Sequence, residues 1–510
     1  MLPSLGRAGN RLAHAIGRLR RRPPRPTPLP RPNLSRLAQP NAPLPPFVAA
    51  DPVARKYLDL LGPLDWEHFP ERPTNRPWPG PAPAQRAPYV AAYLVKLDEG
   101  LRSMGHLRRY LLEHPALVWL LGFPLVPDPT AAHGFNVERS VPSRRQLGRV
   151  LRELDPAAAQ FLLTATVQLI RRTLPSAVAL GEIVAGDTKH ILAWVAENNP
   201  KQYVADRYNK AKQPKGDPDC RLGCKKRRNK GDDNGAQTAP APPSSATPTT
   251  NPAPASQTQV GEYHWGYASG VIATKVPDWG EFVLAELTQT FDKGDASYFF
   301  PLMQQVEQRL GRRPRYGAFD AAFDAFYVHQ YFHEAGGFAA VPLVARAGYQ
   351  GRTFSPDGLP LCAAGLAMPL KFAFTDRTST LVVHERGKYI CPQRHPQPTP
   401  DSACPVHHAR WAKGGCTAML PTCAGARLRY QLDRASAAYK IVYTQRTADE
   451  RINSQALALG IERPHLRRQS AIANQNTLIY VLINLRALQR IRQRKEELAR
   501  QPQQPGAVNA

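Results

Sequence analysis

The sequence predicts an α/β protein in which helices pack on a mixed β-sheet, with a helical segment before the sheet and a β-rich insertion within it. Three observations support this prediction. Apolar residues recur at three- and four-residue steps over much of 89–175, which is typical of amphipathic helices. Strand patterns then follow one another over 263–291, and strand and helix patterns alternate over 298–346. Strands in series followed by this alternation are typical of a mixed sheet covered by helices.

Composition indicates the size of the core and the kind of partner. The chain has 510 residues, enough for two or three domains, and 42% are hydrophobic, enough for a buried core. The formal net charge of +27 indicates a polyanionic partner, with nucleic acid favoured over an anionic membrane surface. No apolar run is long enough for a membrane-spanning helix. The seven cysteines are typical of reduced thiols in a cytoplasm rather than of a secreted disulfide framework.

Changes in pattern divide the chain into segments. Proline and like charges predict a disordered basic N-terminal arm, which is a nucleic-acid arm, a solvated tail or an organelle transit peptide. A Pro-, Ala-, Ser- and Thr-rich tract predicts a linker with a basic head. The predicted segments are the arm (1–86), a helical DNA-binding domain (87–175), a sheet core (176–208 and 261–348), the linker insertion (209–260), a β-rich cysteine-containing insertion (349–435) and C-terminal helices of the core (436–500).

Two helix starts in the helical domain carry capping signals. Ser143 with Gln146 matches a capping box, and Asp155 followed by Pro156 matches an N-cap with proline at the first helical position. The helix that begins at Ser143 carries a basic face. This face either enters a DNA groove or is simply solvated. Its candidate DNA contacts are Arg144, Arg145 and Arg149.

Aspartates follow two of the predicted strands. Asp187 follows the apolar run that begins at 177, and Asp320 ends the strand pattern over 312–320. Asp324, one helical turn later, is a rival to Asp320, which we prefer because a strand-end side chain points into the crevice beyond the sheet. An aspartate at a strand end can also simply cap a turn. The strand-end position makes both residues candidates for one acidic site.

A polar pattern on helical spacing follows the insertion. Tyr443, Arg446 and Glu450 are three and then four residues apart, so on a helix they share one face, and Arg446 can hold the Glu450 carboxylate. Such a face can be ordinary solvated surface. The pattern nevertheless resembles the signature of the DDE transposases of bacterial insertion sequences, the class named for Tyr-Arg-Glu-Lys. Leu457 occupies the position of the signature lysine.

The resemblance implies a ribonuclease H-like catalytic domain with Asp187, Asp320 and Glu450 as metal ligands. Carboxylates about 4 Å apart repel by about 4 kcal/mol per pair at an effective dielectric of 20, so such a site requires cations. Hard oxygen ligands suit Mg²⁺ or Mn²⁺, and two ions would activate a water or a 3′-hydroxyl at a phosphodiester. Tyr443 and Arg446 would contact a phosphate beside the cut. The missing lysine would be replaced by one of three arginines: Arg463, Arg467 or Arg468.

The resemblance implies cleavage of DNA at element ends and strand transfer into a target. The partners would be double-stranded DNA, both terminal inverted repeats and target, and a second copy of the chain when bound to DNA; no membrane partner is expected. Two alternatives stay open. One is a catalytically inactive or domesticated DNA-binding protein derived from a transposase, and the other is a nuclease of the same fold without strand transfer.

The insertion contains cysteine and histidine residues that suggest zinc. Four tetrahedral ligands are available from the pair Cys404 and His407 and the pair Cys416 and Cys423, with Cys391 as an alternate. Free thiols in a loop are the other interpretation. Cys220 and Cys224 also lie close together, but no second pair follows them.

Overall fold

The computed structural model describes residues 33–39, 41–72, 85–226, 261–344, 351–377, 381–395 and 403–500. Most of the predicted linker and the first part of the predicted arm therefore lie outside the described residues. The chain divides into two compact units, Met1–Leu151 and Arg152–Ala510. Among the described helices, none is both long enough and apolar enough to cross a membrane.

The first unit contains short helices and one small hairpin. Its strands are β1 (Val126–Pro127) and β2 (Phe135–Asn136), which pair antiparallel. Its helices are α1 (Leu34–Leu37), α2 (Pro46–Ala49), α3 (Pro52–Leu61), α4 (Ala87–Asp98), α5 (Met104–Glu113), α6 (Pro115–Leu121), α7 (Val137–Ser140) and α8 (Arg144–Glu153), the last ending just beyond the unit boundary.

The disordered arm predicted over 1–86 is wrong for the part that the structure describes. Helices α1 to α3 lie within it, and Leu34, Tyr57 and Leu61 are buried there. Tyr57 donates a hydrogen bond to Asp98 at 3.0 Å, which ties α3 to the end of α4. Scattered apolar residues between prolines therefore pack on the helical domain, because burial of each large side chain contributes about 1.5–3 kcal/mol.

Helix α8 confirms one half of the predicted capping box. The Ser143 hydroxyl accepts from the Gln146 N–H at 3.3 Å, whereas the Gln146 side chain donates to the Tyr89 hydroxyl at 2.7 Å instead of reaching back to Ser143. Leu147 and Leu151 form the buried side of the helix. The exposed side carries its arginines: Arg144, Arg145, Arg149 and Arg152.

The second unit is built on a six-stranded mixed sheet. Central strand β3 pairs antiparallel with the long strand β5 and parallel with β7, which pairs parallel with β8. Strands β4 and β6 both pair antiparallel with β5. The strands are β3 (Ile183–Leu192), β4 (Arg221–Lys226), β5 (Gly261–Val276), β6 (Gly280–Thr290), β7 (Tyr316–Phe319) and β8 (Phe338–Ala340). The predicted α/β class with a mixed sheet is confirmed.

Helices surround this sheet. A buried apolar cluster joins the sheet to four of them, through residues such as Ile170, Phe299, Val328 and Leu488. A smaller cluster lies against the neighbouring residues Ala185, Ala318 and Ala340 of the three parallel strands. The helices of the unit are α9 (Pro156–Thr173), α10 (Phe299–Leu310), α11 (Phe326–Glu334), α12 (Ala424–Gln431), α13 (Ala437–Tyr443), α14 (Thr447–Ala458) and α15 (Gln469–Arg500).

Helix α9 belongs to the second unit, although the sequence predicts it within the helical domain over 87–175. Its start is as predicted, since the Asp155 carboxylate accepts from the Ala157 N–H at 3.0 Å. Gln160 then donates to the Glu286 backbone oxygen of β6 at 3.1 Å and to the Thr477 hydroxyl of α15 at 3.2 Å. These partly buried hydrogen bonds hold the helix against the sheet, a placement that helical periodicity could not indicate.

Two predicted boundaries move in the structure. Residues 221–226, placed in the linker insertion by sequence, form β4, where Leu222 is buried and Cys220 just before it is fully buried. The strand predicted over 341–346 lies a few residues earlier, as β8, and 345 and 346 are outside the described residues. In both cases pairing with a neighbouring strand decides the boundary.

The β-rich insertion is a separate three-stranded antiparallel sheet. Its strands are β9 (Leu370–Asp376), β10 (His384–Ile390) and β11 (Thr417–Pro421), with β10 in the middle. Helix α12 follows it and returns the chain to the main sheet. There the Arg429 guanidinium contacts Asp324 through two hydrogen bonds of 2.6 Å.

Candidate catalytic site

The two predicted aspartates lie on adjacent strands, but the strand-end prediction is correct only for Asp320, because β3 continues for five residues beyond Asp187. Gly186 of β3 pairs with Phe319 of β7 in the last parallel pair, so Asp187 and Asp320 are the next residues on adjacent strands. Beyond this pair β7 ends, whereas β3 continues to Leu192 beside β5 alone. The carboxyl ends of parallel strands in an α/β sheet border a crevice. The two aspartates therefore lie where the strands diverge.

Both aspartates point to the face of the sheet that carries α13 and α14. Side chains two residues apart on a strand share a face, so Asp187 shares the face of Ala185 and Asp320 that of Ala318. These alanines pack against Tyr439 and Val442 of α13. Because alanine side chains are small, the helix lies close to the strands, and the following turn and α14 pass over the aspartates.

The predicted polar face is present across the turn between α13 and α14. The Arg446 guanidinium donates to the Glu450 carboxylate at 2.8 Å, as the spacing predicts. Tyr443 stacks on Tyr439 with ring centroids 5.6 Å apart, which fixes its orientation. The Arg446 side chain is 20% exposed and the Glu450 side chain 59% exposed. Glu450 is thus the solvent-facing member of the group.

Arg446 connects the helix pattern to Asp187 and Asp320. Burial alone would lower the pKa of its guanidinium, but the surrounding carboxylates of Asp187, Glu450 and Asp320 outweigh burial and raise that pKa. One guanidinium therefore interacts electrostatically with all three acids that the sequence predicts for the site. Residues separated by more than 250 positions in the sequence are brought together by the sheet and by α14.

Asp187 lies in a desolvated environment. Burial, together with the neighbouring Asp320 and Asp295 carboxylates, raises its pKa to about 6. The Thr188 N–H donates to one carboxylate oxygen at 2.9 Å, and the Asn453 amide of α14 donates to the other at 3.1 Å. Asn453 was not predicted from the sequence. It lies four residues after Asp449, so the two share a helical face, but nothing in the sequence shows that this face meets β3.

Asp449 is the second residue that the sequence did not single out. It is fully buried, and in the described part of the chain neither of its carboxylate oxygens has a hydrogen-bonding side chain. Burial, and then the proximity of Asp187, raises its pKa well above the ordinary value. Asp449 is next to Glu450 in sequence but about 100° away around the helix, so one points inward and the other outward. It is thus a structural rival for the third acid.

Asp324, the rival to Asp320, is committed to another contact. Its carboxylate is completely buried and accepts two hydrogen bonds from Arg429, and the Val344 N–H donates to it at 2.8 Å. Burial would raise its pKa, but the hydrogen bonds from His329 and Arg429 outweigh burial and hold the pKa well below the ordinary value. Asp324 therefore anchors α12 to the sheet unit, and Asp320 remains the site candidate.

Asp187→Asn is expected to stabilise the fold at neutral pH. The folded-state pKa near 6 lies above that of an unfolded aspartate. The fold therefore loses stability as pH rises from about 4 to about 6, because the carboxyl group ionises less readily in the folded state. A neutral asparagine avoids this cost, and we expect a gain of about 1–3 kcal/mol at pH 7. Urea unfolding at pH 7 and at pH 4 measures it. The gain should shrink at pH 4, and a variant less stable than wild type at pH 7 would contradict the assignment.

The cysteine set predicted for zinc is not gathered in one place. The register of β10 and β11 continues so that Cys391 faces Cys416, with Ile390 and Thr417 the preceding pair. Burial, with Cys391 and Cys362 nearby, raises the pKa of Cys416 to about 12. Cys423 follows the opposite end of β11, roughly 20 Å away by strand rise. The pairing of Cys416 with Cys423 on one zinc ion is therefore wrong.

The other predicted zinc ligands lie in the loop before β11. The His408 N–H donates to the Cys404 sulfur at 3.3 Å, and the His407 N–H donates to the Cys404 backbone oxygen at 3.1 Å. Within the residues the structure describes, no three His, Cys, Asp or Glu side chains are arranged to hold a metal ion. Zinc thus remains a prediction for Cys391, Cys404, His407 and Cys416.

Zinc content distinguishes the two ends of β11. If the insertion holds zinc, the purified protein should retain about one equivalent through desalting. Cys416→Ser is expected to lower that content, and Cys423→Ser is expected to leave it unchanged because Cys423 lies at the far end of the strand. Elemental analysis of the three proteins provides the measurement. Equal zinc in both variants would remove Cys416 from the site.

The predicted DNA contacts lie in both units. Arg144, Arg145 and Arg149 are exposed in the first unit, and Tyr443 and Arg446 lie beside the aspartates of the second. Leu457, at the signature lysine position, is 48% exposed on α14. The whole chain matches no protein-family model, and no curated protein is significantly similar to it.

Proposed function

We propose that this protein is a DDE transposase that cleaves DNA at the ends of an insertion sequence and joins them to a target. The observation that supports this most is the placement of Asp187 and Asp320 on adjacent parallel strands, beneath a helix that presents Arg446 and Glu450. Nothing in a solvated helix face requires such an arrangement. The adjacent carboxylates repel, which an acidic metal site offsets with cations.

The strand order also supports a ribonuclease H-like catalytic domain. Strands β3, β5 and β6 form an antiparallel set in chain order, interrupted only by β4, which pairs with β5, and β7 and β8 then extend the sheet on the other side of β3, parallel to it. The β-rich insertion comes after these strands and before Glu450. This is the order of elements that the resemblance implies.

The donor set fits hard divalent cations. Asp187, Asp320 and Glu450 supply carboxylate oxygens, which suit Mg²⁺ or Mn²⁺, and such ions would supply a nucleophile and stabilise a leaving oxygen at a phosphodiester. To reach the cations, the Glu450 side chain would have to leave Arg446 and turn toward Asp187 and Asp320. Its exposed side chain is free to adopt other rotamers. Arg446, released, is then available to a DNA phosphate, where a guanidinium binds in bidentate fashion.

The remaining parts of the molecule have roles consistent with this reaction. The exposed arginines of α8 would bind the element end, and Tyr443 would position a phosphate near the cut. Two ends must be cut and joined together, so we propose that the protein acts on double-stranded DNA as a homodimer. The charge of +27 favours association with nucleic acid.

The non-catalytic alternative is favoured by one observation. In the described residues no three acidic, histidine or cysteine side chains form a group ready to hold a metal. A domesticated DNA-binding protein would keep the basic surfaces without needing Glu450 to reach the aspartates. The two proposals differ in whether the protein cuts DNA in the presence of Mg²⁺.

The deciding experiment uses the DNA that flanks the gene. A labelled duplex from each flank, carrying any short terminal inverted repeat, is incubated with the full chain in Mg²⁺ and in EDTA. We expect metal-dependent nicks at the repeat boundary that leave a 3′-hydroxyl, and none with Asp320→Asn. Cleavage without metal, or equal cleavage by Asp320→Asn, would contradict the proposal. Binding without any cleavage would favour the non-catalytic alternative.

A further inference from the structure

A cleft of 560 Å³ lies at the C-terminal end of β3, in the same unit as the candidate site. One wall is the turn that follows β3, and the other is the segment between α14 and α15. The two walls are joined where the Leu192 N–H donates to the Glu462 backbone oxygen at 2.9 Å and where Lys189 lies 3.1 Å from the Glu462 carboxylate. The proposed catalysis does not use this cleft.

An exposed tryptophan forms the floor. Trp194 is 51% exposed, which is unusual for a side chain of this size. Its backbone is held firmly, because the Ala193 N–H donates to the Trp265 oxygen at 3.0 Å and the Asn198 amide donates to the Ala193 oxygen at 2.8 Å. The ring is therefore presented to solvent by a rigid turn rather than by a loose loop.

Cationic and aromatic side chains surround the tryptophan. The Arg467 guanidinium lies 4.8 Å from the centroid of the Trp194 ring, and the His465 ring lies 5.5 Å from it. Arg463 lines the same cleft and is exposed. Across the described residues, Arg463 and Arg467 make no ion pair with a carboxylate, whereas Arg468 lies 3.6 Å from Asp219. Two arginines of the cleft, one of them beside the ring, thus keep their charge available to a ligand.

We propose that this cleft binds an unpaired nucleotide of single-stranded DNA, with the base stacked on Trp194 and the adjacent phosphates held by Arg463 and Arg467. Bases stack on aromatic side chains irrespective of their sequence, and arginines beside the ring add charge for the backbone. A purely apolar ligand would leave both guanidinium groups unpaired, and a bare anion would not need the ring. This inference rests on the proposed action on DNA.

The position of the cleft fits a strand that leaves the candidate site. The part of β3 between Asp187 and its last residue, Leu192, is roughly 16 Å long by strand rise. A DNA strand cut beside Asp187 would reach Trp194 after a few nucleotides. The cleft also gives a role to two of the arginines that follow α14, which the sequence suggested only as substitutes for the missing lysine.

Binding of a fluorescein-labelled oligo(dT) of about 12 nucleotides, followed by anisotropy in EDTA, tests the proposal with the full chain. Trp194→Ala is expected to weaken binding by roughly 5- to 150-fold, the effect of losing one base–aromatic stack. The matched control is Trp411→Ala in the insertion, where Arg394 likewise lies 4.5 Å from the ring centroid. This control should bind as tightly as wild type.

Salt dependence separates stacking from charge. Arg467→Ala should reduce the slope of log K against log salt by about 0.7, the value for one phosphate of a single strand, and Arg467→Lys should restore it. Trp194→Ala should leave the slope unchanged. Unaltered binding by Trp194→Ala, or equal losses in the two tryptophan variants, would overturn the inference.

The outcome is distinguishable from a failure of the proposed function. The binding assay contains no metal and requires no cleavage, so an inactive protein can still pass it. If the wild type cuts duplex DNA in Mg²⁺ but Trp194→Ala binds oligo(dT) normally, only the inference about the cleft fails. If the wild type binds neither duplex nor single-stranded DNA, both fail.

Discussion

Glu450→Gln is expected to reduce metal-dependent cleavage of the element end by roughly 10³-fold or more, equal to about 4 kcal/mol of transition-state stabilisation. Glutamine preserves the size of the side chain but removes the charge that balances the cations. Binding of the same duplex should persist or become tighter, because the arginines of α8 are remote from Glu450 and one negative charge is gone. Nicking in Mg²⁺ and then Mn²⁺, beside a gel shift on the same DNA, measures both quantities.

Asp449→Asn provides the matched control on the same helix. Asp449 is fully buried and its pKa is raised, so an asparagine resembles the protonated form that burial favours. We therefore expect cleavage close to that of wild type. If Asp449→Asn abolishes cleavage while Glu450→Gln is active, the third acid is the buried residue. If both variants cleave fully, the acidic triad fails, and with it the assignment as a DDE transposase.

Asp324→Asn tests whether Asp324, one of the two aspartates that follow β7, has a structural role and no catalytic one. The substitution weakens the buried contact with Arg429, and breaking a buried ion pair costs about 3–5 kcal/mol. The variant should unfold at lower urea concentration yet cleave DNA wherever it remains folded.

Arg446→Ala should lower cleavage less than Glu450→Gln, since the arginine orients a carboxylate and a phosphate but binds no cation.

Affinity for duplex DNA is expected to fall by about 10³–10⁵-fold between 50 and 200 mM salt. The reason is the net charge of +27, since neutralisation of six to ten phosphates would release their counterions. Gel-shift or anisotropy titrations at several salt concentrations give the slope of log K against log salt. A flat response would exclude nucleic acid as the partner.

The basic face of α8 can be tested within the same titrations. If Arg144, Arg145 and Arg149 each contact one phosphate, replacing all three by alanine should reduce the slope by about 2.7. Arg313→Ala is the control, because its guanidinium is already 2.9 Å from the Glu334 carboxylate. A reduction of about 0.9 in the slope for Arg313→Ala, one third of that for the triple variant, would mean that the effect comes from total charge and not from the helix face.

Local patterns account for much of what the sequence predicted correctly. The contact between Arg446 and Glu450 depends only on helical spacing, and the hydroxyl cap at Ser143 depends only on residues within one turn. The order of strands and helices in the core follows from periodicity in the same way. Such interactions involve neighbours in the chain, so the amino-acid order contains the information they need.

The sequence predictions were wrong where a residue contacts a segment that is distant in the chain. The helices α1 to α3 look like disordered arm in isolation, yet Tyr57 gains its partner from α4. The Gln146 side chain donates to Tyr89 and not to Ser143, the predicted cap. Cys423 is separated from Cys416 by strand β11, which the spacing of the two cysteines does not indicate. In each case a long-range contact contributes more free energy than the local preference.

By itself the sequence determined the α/β class, the basic charge, the position of Asp320 at the end of a strand, and the helical face of Arg446 and Glu450, whereas Asp187 lies inside β3 and not at its end as predicted. Only the tertiary structure decided that the two aspartates are neighbours, that Asp324 is occupied by Arg429 and that Asp449 is buried beside Asp187. The physical reason is that strand register and helix rotation are set by side-chain packing across the sheet. That packing joins residues hundreds of positions apart, and no local pattern contains it.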